Sequence, residues 1–332
     1  MLQGLQNMGN TCSINTMIQC LGHCDVFREY LFQNASLFQK KENRDYSIGD
    51  ELRLICKQMW IDQNSLMPSR FLRALQETLG KDFQIGREQM DLTEVWMILI
   101  QNILEESHQP SFCSVHTQAC SYSEPMLDFF HKEAVSQWIK HSKDTCSPLL
   151  DLIQGMQIQQ IQCKECSKFY HNVEPFQCSY LELPEKQHIH LDHCLVKLLE
   201  IDTVEHWKCD ACQQSKNEKV IRFWKLPKIW VLILKRFNGT TKLHTPVTIP
   251  YEFYYPNGFE MASPSSGGKY QLKAIGNHYG SLYGGHYNAI CKNNSEEYPW
   301  CLYDDLSISG IKEIMPLLHK NRDAYALFYE RC

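Results

Sequence analysis

The sequence lacks long uninterrupted apolar runs. Its apolar runs, such as residues 95–100 and 230–234, are far shorter than the roughly 20 residues that a transmembrane helix needs. Residues 1–10 have neither a basic start nor an apolar core, so a cleaved secretion signal is not expected. We therefore expect a chain that neither spans a membrane nor is secreted.

The sequence also has fewer basic than acidic residues. The chain has 33 Lys and Arg against 38 Asp and Glu, a formal net charge of −5. This balance argues against a nucleic-acid binder, which usually carries a basic face. Sixteen glycines and thirteen prolines are too few for a fibrous or low-complexity protein. With 332 residues, 43% of them hydrophobic, the chain is long enough for one elaborate globular domain or two simpler ones.

The two halves of the sequence differ in hydrophobic periodicity. Up to residue 150 the spacing predicts helices, one from Cys12 to Gly22 and others at about 50–60, 69–79, 91–105 and 126–140. From residue 156 it predicts strands at 156–162, 176–182, 220–224, 229–235, 270–275, 286–291 and 324–329, with a helix at about 192–199. A helical half followed by a strand half indicates an α+β fold. Residues 263–268, rich in Ser, Pro and Gly, are predicted to form a surface loop.

Sixteen cysteines are many for a chain that is not expected to be secreted. Without an oxidising compartment, free thiols are the default. We interpret six of them as small core side chains: Cys20, Cys56, Cys178, Cys194, Cys291 and Cys301.

Cys12 has the position that a nucleophilic thiol needs. At the start of a helix, unpaired backbone N–H groups and the positive end of the helix dipole stabilise a thiolate. A buried structural thiol is the alternative. His286 enters a predicted strand, and Asp304 and Asp305 end a segment that can return beside it, so a hairpin would bring an acid to the imidazole. Such a set matches a cysteine, histidine and acid arrangement for acyl transfer, although a structural histidine beside a turn fits the same pattern.

Two Cys-x-x-Cys pairs have the spacing of metal knuckles. Together they would complete a four-cysteine zinc site from Cys163, Cys166, Cys209 and Cys212. The two pairs are farther apart in sequence than the pairs of a zinc ribbon. A long β segment and a helix must therefore lie between them. A redox Cys-x-x-Cys is the competing reading. It is disfavoured because neither pair follows a strand and opens a helix in a βαβ unit.

Several long motifs occur in the order of one known family. Residues 4–21, GLQNMGNTCSINTMIQCL, match a cysteine box of the form GLxNLGNTCYMNS. A histidine box is matched by residues 270–275, 277–281, 285–289, 300–305 and 324–329, and the segments 226–228 and 234–237 match the strand pair between the two boxes. Over essentially the whole chain, these motifs resemble the ubiquitin-specific proteases, which are papain-like cysteine deubiquitinases.

The resemblance implies one catalytic domain of α+β, papain-like fold over residues 1–332. Its helical thumb would cover about residues 1–150, its β fingers about 150–225 and its β palm about 225–332. One structural zinc ion would be bound in the fingers by the four cysteines of the two pairs. No accessory domain is expected, since the nucleophile lies near the start of the chain and the last palm strand near its end.

The resemblance also assigns catalytic roles. Cys12 would be the nucleophile, His286 the general base and Asp304 the acid that orients it. Asn7 would form the oxyanion hole with the backbone N–H of Cys12. Asp305 is the competing acid. Because adjacent strand residues point to opposite faces, only one of the two aspartates can readily face His286, unless a bulge intervenes.

One segment departs from the family pattern. Residues 89–95, QMDLTEV, correspond to the box QQDAQEF and keep its Asp91 and Glu94. The resemblance implies that these two carboxylates bind the basic tail of the substrate. The alternative is a capping box at the start of a helix, which needs no function. Ser13 and Thr16 replace the usual Tyr and Ser beside the nucleophile, which leaves the rate and the modifier preference open.

The function implied by the resemblance is hydrolysis of the bond after the C-terminal glycine of ubiquitin. His278 and Gly285 would contact the substrate. A catalytically silent ubiquitin-binding scaffold and a protease for another ubiquitin-like modifier are the alternatives. A zinc-dependent nucleic-acid binder is opposed by the acidic balance. We expect a monomer in the cytoplasm, the nucleus or both, with ubiquitin or ubiquitinated proteins as partners and neither nucleic acid nor membrane.

Overall fold

The computed structural model describes residues 3–42, 44–61, 66–81, 83–109, 125–184, 188–204, 206–239, 241–255, 268–281 and 284–332. Helices dominate the first half and strands the second, as the predicted α+β class requires. None of the helices in these ranges is long and apolar enough to cross a membrane. The predicted loop at 263–268 lies outside the described residues, apart from Gly268.

The helical part confirms the predicted helices and adds two α-helices and a short 3₁₀ helix. Its helices are α1 (Cys12–Gly22), α2 (Asp25–Gln33), α3 (Ile48–Ile61), α4 (Ser69–Leu79), α5 (Leu92–Glu106), α6 (Pro125–Thr145) and α7 (Leu150–Ile153), with a short 3₁₀ helix at Ala35–Leu37. Helix α2 was not predicted. Its nine residues bury only Phe27, Tyr30 and Leu31, which is a weak periodic signal.

The remaining elements are mostly strands. They are β1 (Gly155–Cys163), β2 (Phe169–Phe176), β3 (Cys178–Glu182), β4 (Ile189–His190), α8 (Leu191–Leu199), β5 (Asp202–Val204), β6 (Asn217–Lys225), β7 (Ile229–Lys235), β8 (Phe237–Asn238), β9 (Thr241–Lys242), β10 (Val247–Thr248), β11 (Glu252–Tyr255), β12 (Gly268–Ser281), β13 (Gly284–Lys292), β14 (Trp300–Asp304), β15 (Ser307–Ile311), α9 (Met315–Leu318) and β16 (Ala324–Arg331). The strand predicted at 176–182 is two elements, because Phe176 ends β2 and β3 begins at Cys178.

Two sheets organise the strand part. The smaller has the order β2-β1-β6-β5, and its strands are antiparallel. The larger has the order β15-β14-β13-β12-β16-β7-β3, with β11 paired to β12. Strand β3 runs parallel to β7, whereas the other neighbours in this sheet are antiparallel. The predicted hairpin between the strand of His286 and the segment ending at Asp304 is thus confirmed as β13 and β14.

Helix α1 is the element that joins the two halves. All eleven of its residues are buried, and it packs on β12, β13, β14 and α5. The chain before α1 lies against the end of β14, where Leu5 N donates to Asp305 O at 2.9 Å. This packing brings the first residue of α1 to the edge of the larger sheet.

The cysteines expected in the core are buried, with one exception. Cys20, Cys56, Cys194, Cys291 and Cys301 are buried and free, whereas Cys178 is only partly buried. Burial raises the pKa of the Cys56 thiol to about 12 and that of the Cys194 thiol to about 11, so these thiols stay protonated. Cys146 differs from the expected free state, because it is disulfide-bonded.

Candidate active site

Cys12 is the first residue of α1, as predicted. It is only 3% exposed. The backbone N–H of Asn15 completes the first turn by donating to Thr11 O at 2.9 Å. The thiol therefore belongs to the first turn of a helix whose residues are all buried.

His286 and Asp304 form the second part of the site. His286 Nε2 lies 2.5 Å from Asp304 Oδ1, and both side chains are about two-fifths exposed, at 41% and 42%. The carboxylate accepts the Nε2–H proton, which leaves Nδ1 as the imidazole nitrogen that can take a proton from another group. Asp304 is thus the acid that contacts the imidazole, as the resemblance implied.

Asp305 has a different position from its neighbour. It follows the end of β14 in a left-handed conformation, with a φ of 51°, as is usual for a turn. Its Oδ2 accepts from Asn7 Nδ2 at 2.9 Å and its Oδ1 accepts from Asn15 Nδ2 at 2.7 Å. Asp305 therefore holds the predicted oxyanion residue rather than the imidazole.

The amide of Asn7 has a fixed orientation. Its Oδ1 accepts from Gly9 N at 3.0 Å, from Thr11 N at 3.3 Å and from the Thr11 hydroxyl at 3.2 Å. These donors assign the oxygen and direct Nδ2 to Asp305. Among the acceptors in the described ranges, Nδ2 contacts Asp305 alone, so one of its two N–H groups has no hydrogen bond there.

Gln89 is a site residue to which the sequence analysis gave no role. Its Nε2 donates to Gly285 O at 2.6 Å, and its Oε1 accepts from Gly285 N at 3.2 Å. The same Nε2 lies 3.5 Å from Cys12 Sγ. Its place in the box at 89–95 was the available signal, and the spacing alone could not show that the side chain turns toward the thiol.

Gly285 and His278 lie together beside His286. A Cβ on Gly285 would lie 2.2 Å from Tyr279 O and 2.4 Å from His278 Nε2, so only glycine fits there. His278 is 3% exposed, and its burial lowers the pKa of the imidazole to about 4. This places His278 beneath Gly285 rather than at the surface, and its predicted contact with substrate stays a prediction.

Asp91 has many internal partners. It caps α5 by accepting from Thr93 N at 2.8 Å, and Glu94 completes the predicted capping box. The hydroxyls of Tyr287 and Tyr325 donate to the same carboxylate at 2.9 and 3.1 Å. The capping role is confirmed, whereas binding of a basic substrate tail by Asp91 and Glu94 stays a prediction.

The four cysteines of the two Cys-x-x-Cys pairs meet at one end of the smaller sheet. Their Sγ atoms lie within 4.8 Å of one another, with Cys163 to Cys212 at 3.5 Å and Cys166 to Cys209 at 3.6 Å. Four thiolates around a tetrahedral zinc ion, at about 2.3 Å from it, would lie roughly 3.8 Å apart. The cluster can therefore hold a metal ion of that size.

Comparison with known proteins gives one family. The family model described as ubiquitin carboxyl-terminal hydrolase matches residues 3–329. Ubiquitin carboxyl-terminal hydrolase 4 of Eremothecium gossypii is 26% identical over 99% of this chain and 42% of its own length. Probable ubiquitin carboxyl-terminal hydrolase 4 of Schizosaccharomyces pombe is 27% identical over 99% and 58%. Ubiquitin carboxyl-terminal hydrolase 2 of Homo sapiens is 26% identical over 99% and 55%. The chain spans about half the length of these curated relatives.

A solved structure has the same fold. It is described as the SAGA DUB module Ubp8/Sgf11/Sus1/Sgf73 bound to monoubiquitin, and it matches with a TM-score of 0.72. The match covers 100% of this chain and 69% of that chain, at 23% identity. At this identity the likeness is one of fold.

Proposed function

The chain belongs to the ubiquitin carboxyl-terminal hydrolase family, and from that premise we propose that it is a cysteine-type deubiquitinase. Its substrates would be proteins joined through lysine to the C-terminal glycine of ubiquitin. The observation that carries the proposal is the imidazole of His286, whose Nε2 is held by Asp304 while Nδ1 is left for the thiol. This orientation is what a general base beside a cysteine nucleophile needs.

The proposed reaction is an acyl transfer in two halves. His286 Nδ1 takes the thiol proton, and Cys12 Sγ attacks the carbonyl carbon of the terminal glycine. The tetrahedral intermediate collapses when the imidazolium donates its proton to the leaving lysine amine, which gives a thioester on Cys12. His286 then deprotonates a water molecule that attacks the thioester carbonyl carbon. The C–S bond breaks, the imidazolium returns its proton to the Cys12 sulfur, and ubiquitin leaves with a free carboxylate.

The negative oxygen of the intermediate needs donors that are already in position. The backbone N–H of Cys12 and the second N–H of Asn7 Nδ2 would supply them. Asp305 supports this by accepting the first N–H of Asn7, which prevents the amide from rotating. Each donor of this kind typically contributes about a hundredfold to a thousandfold in rate.

The proposal is tested with purified protein and ubiquitin–rhodamine. Cys12→Ala should reduce hydrolysis to background while leaving the thermal unfolding temperature nearly unchanged. Cys332→Ala, at an exposed cysteine, is the matched control and should keep full activity. A ubiquitin probe with a C-terminal electrophile should label Cys12, as identified by peptide mass spectrometry. Undiminished hydrolysis by Cys12→Ala would end the assignment, and a panel of modifier probes would reveal another modifier preference.

We also propose that the cysteine cluster binds one structural zinc ion. Cys163, Cys166, Cys209 and Cys212 would supply four thiolates, which leave no open position for a catalytic water. The ion would tie the ends of β1 and β6, which form the centre of the smaller sheet. A zinc-to-protein ratio near one in the purified protein, measured by plasma mass spectrometry, is the expected result.

Ubiquitin binding and the cellular location belong to the same proposal. A chain of this fold in another protein has been solved with monoubiquitin, which supports ubiquitin as the partner. We propose a monomer located in the cytoplasm, the nucleus or both. A zinc site of four thiolates needs reduced cysteines, which a reducing compartment maintains, although Cys146 elsewhere in the chain is disulfide-bonded.

A further inference from the structure

The carboxamide of Gln89 connects three elements that are far apart in sequence. Gln89 lies just before α5, Gly285 lies at the start of β13, and Cys12 begins α1. The carboxamide pairs with Gly285 in both directions, through Nε2 to O at 2.6 Å and through Oε1 from N at 3.2 Å. Its Nε2 also lies 3.5 Å from Cys12 Sγ. One side chain thus contacts the nucleophile and the residue next to the base.

Such a connection matters because the nucleophile and the base come from different elements. Cys12 is fixed by the buried helix α1, whereas the side chain of His286 is 41% exposed and contacts Asp304 through Nε2. Gly285 has no side chain with which to anchor the main chain before His286. The two hydrogen bonds between Gln89 and the Gly285 main chain, one in each direction, supply that anchor. A misplacement of about 1 Å in such a pair can reduce the rate about a hundredfold.

The contact with sulfur has an electrostatic effect as well. An amide N–H is a donor, and a donor beside a thiolate stabilises the charged form more than the thiol. The donor comes from the half-buried Gln89 side chain and not from the helix, so its effect is separate from that of the α1 N-terminus. Removing it should change the pH dependence of the thiol reaction, which a purely structural contact would not.

We propose that Gln89 is a positioning residue for the reaction, holding the Gly285 main chain beside Cys12 and donating to the Cys12 sulfur. This inference rests on the proposed function, because the reaction positioned is the acyl transfer by Cys12 and His286. It adds a residue from outside the cysteine and histidine boxes. The interaction is that of a carboxamide, so neither alanine nor a carboxylate can replace it.

The experiment compares Gln89→Ala and Gln89→Glu with the unmodified chain. Glutamate keeps an acceptor for Gly285 N–H but loses the donor to Gly285 O and to Cys12 Sγ, and it adds a negative charge. Gln101→Ala is the matched control, because Gln101 lies on the exposed side of α5 and donates only to Glu105 among the described residues. The readouts are kcat and KM on ubiquitin–rhodamine, the pH profile of iodoacetamide alkylation of Cys12, and the thermal unfolding temperature.

Gln89→Ala should lower kcat roughly tenfold or more, with KM changed less than about threefold. It should move the midpoint of the alkylation profile upward by about half to one pH unit. Gln89→Glu should move that midpoint further upward. Gln101→Ala should change neither kcat nor the midpoint. Unfolding temperatures should stay close to that of the unmodified chain, since Gln89 lies in a half-exposed loop.

Two results would overturn the inference. Alkylation profiles that superimpose for all variants would show that Gln89 does not act on the sulfur. Faster alkylation together with a higher kcat/KM in Gln89→Ala would show that the side chain obstructs the thiol instead. Failure of the proposed function would be seen separately. In that case the unmodified chain would not cleave ubiquitin–rhodamine, whereas the alkylation profiles of Cys12 would still test the contact with Gln89.

Discussion

Asn7 Nδ2 donates a hydrogen bond to Asp305 Oδ2 at 2.9 Å, across 298 positions of sequence. The other oxygen of the same carboxylate accepts from Asn15 Nδ2 of α1 at 2.7 Å. Asp305 therefore connects the proposed oxyanion residue to α1, the helix that begins at Cys12. The two adjacent aspartates thus have different partners, since Asp304 contacts the His286 imidazole and Asp305 contacts the Asn7 amide.

This difference in partners predicts different losses for the two aspartates. Asp304→Ala should lower kcat by about a thousandfold or more, because His286 loses the partner that sets its tautomer and orientation. Asp305→Ala should lower kcat roughly tenfold to a hundredfold, because the Asn7 amide is present but free to rotate. Both variants are measured on ubiquitin–rhodamine, with the surface variant Asp202→Ala as the control. A larger loss in Asp305→Ala than in Asp304→Ala would reverse the two assignments.

A double variant checks that Asp305 acts through Asn7. If it does, Asn7→Ala and Asp305→Ala combined should lose little more activity than Asn7→Ala alone. Losses that multiply would show that the two residues act independently.

Two neighbouring glycines give a second prediction. A Cβ on Gly285 would lie 2.2 Å from Tyr279 O, whereas a Cβ on Gly284 has no heavy atom of the described chain within 4 Å. Gly285→Ala should therefore displace the main chain before His286 and lower kcat by about a hundredfold or more. Gly284→Ala, the matched control, should keep most of the activity. Equal activities of the two variants would show that the crowding at Gly285 is relieved without moving His286.

The sequence placed the residues of the candidate site on the correct elements because long motifs carry them. The periodicity after Cys12 predicted α1, and the alternation around His286 predicted β13, so both ends of the site could be located without coordinates. The difference in partners between Asp304 and Asp305 could not be predicted in full. It depends on the end of β14 and on the left-handed φ of Asp305, which turn its carboxylate toward Asn7.

Very short elements could not be predicted, because a sequence pattern needs several residues to be recognised. Strands β4, β8, β9 and β10 have two residues each, too few to show an alternating pattern. Gln89 also escaped prediction, because its role comes from contacts 77 and 196 positions away in sequence. Local patterns predict elements, whereas contacts of this range depend on how the elements pack.

The cysteine cluster gives a third prediction, which concerns Tyr170. The hydroxyl of Tyr170 lies 3.3 Å from Cys209 Sγ, and its ring packs against Trp207 with centroids 4.8 Å apart. A hydroxyl that donates to a metal-bound thiolate stabilises the complex, and loss of such an outer partner typically costs about tenfold to a hundredfold in metal affinity. Tyr170→Phe, which keeps the ring, should therefore release zinc to a competing chelator faster than the unmodified chain. Cys209→Ser should release it faster still, and identical release rates for Tyr170→Phe and the unmodified chain would contradict the prediction.

Two buried histidines predict how stability depends on pH. Burial lowers the pKa of His23 and of His278 to about 4, whereas an unfolded histidine titrates near 6.5. His23 is neutral in the fold and bonds Gln19 O at 2.7 Å and the Tyr303 hydroxyl at 3.2 Å. Between these pKa values the unfolded chain binds more protons than the folded chain, so acid favours unfolding.

The free energy of unfolding should therefore be unaffected by these groups above about pH 6.5 and fall as the pH decreases from there toward about 4. Urea unfolding at about pH 7.5, 6 and 5 measures this slope. His23→Gln removes one titrating group while keeping a polar side chain, so its slope between about pH 6.5 and 5 should be shallower than that of the unmodified chain. His244→Gln, which makes the same exchange at an exposed histidine, is the control. If His23→Gln and the unmodified chain have the same slope, then His23 is not held neutral by its burial.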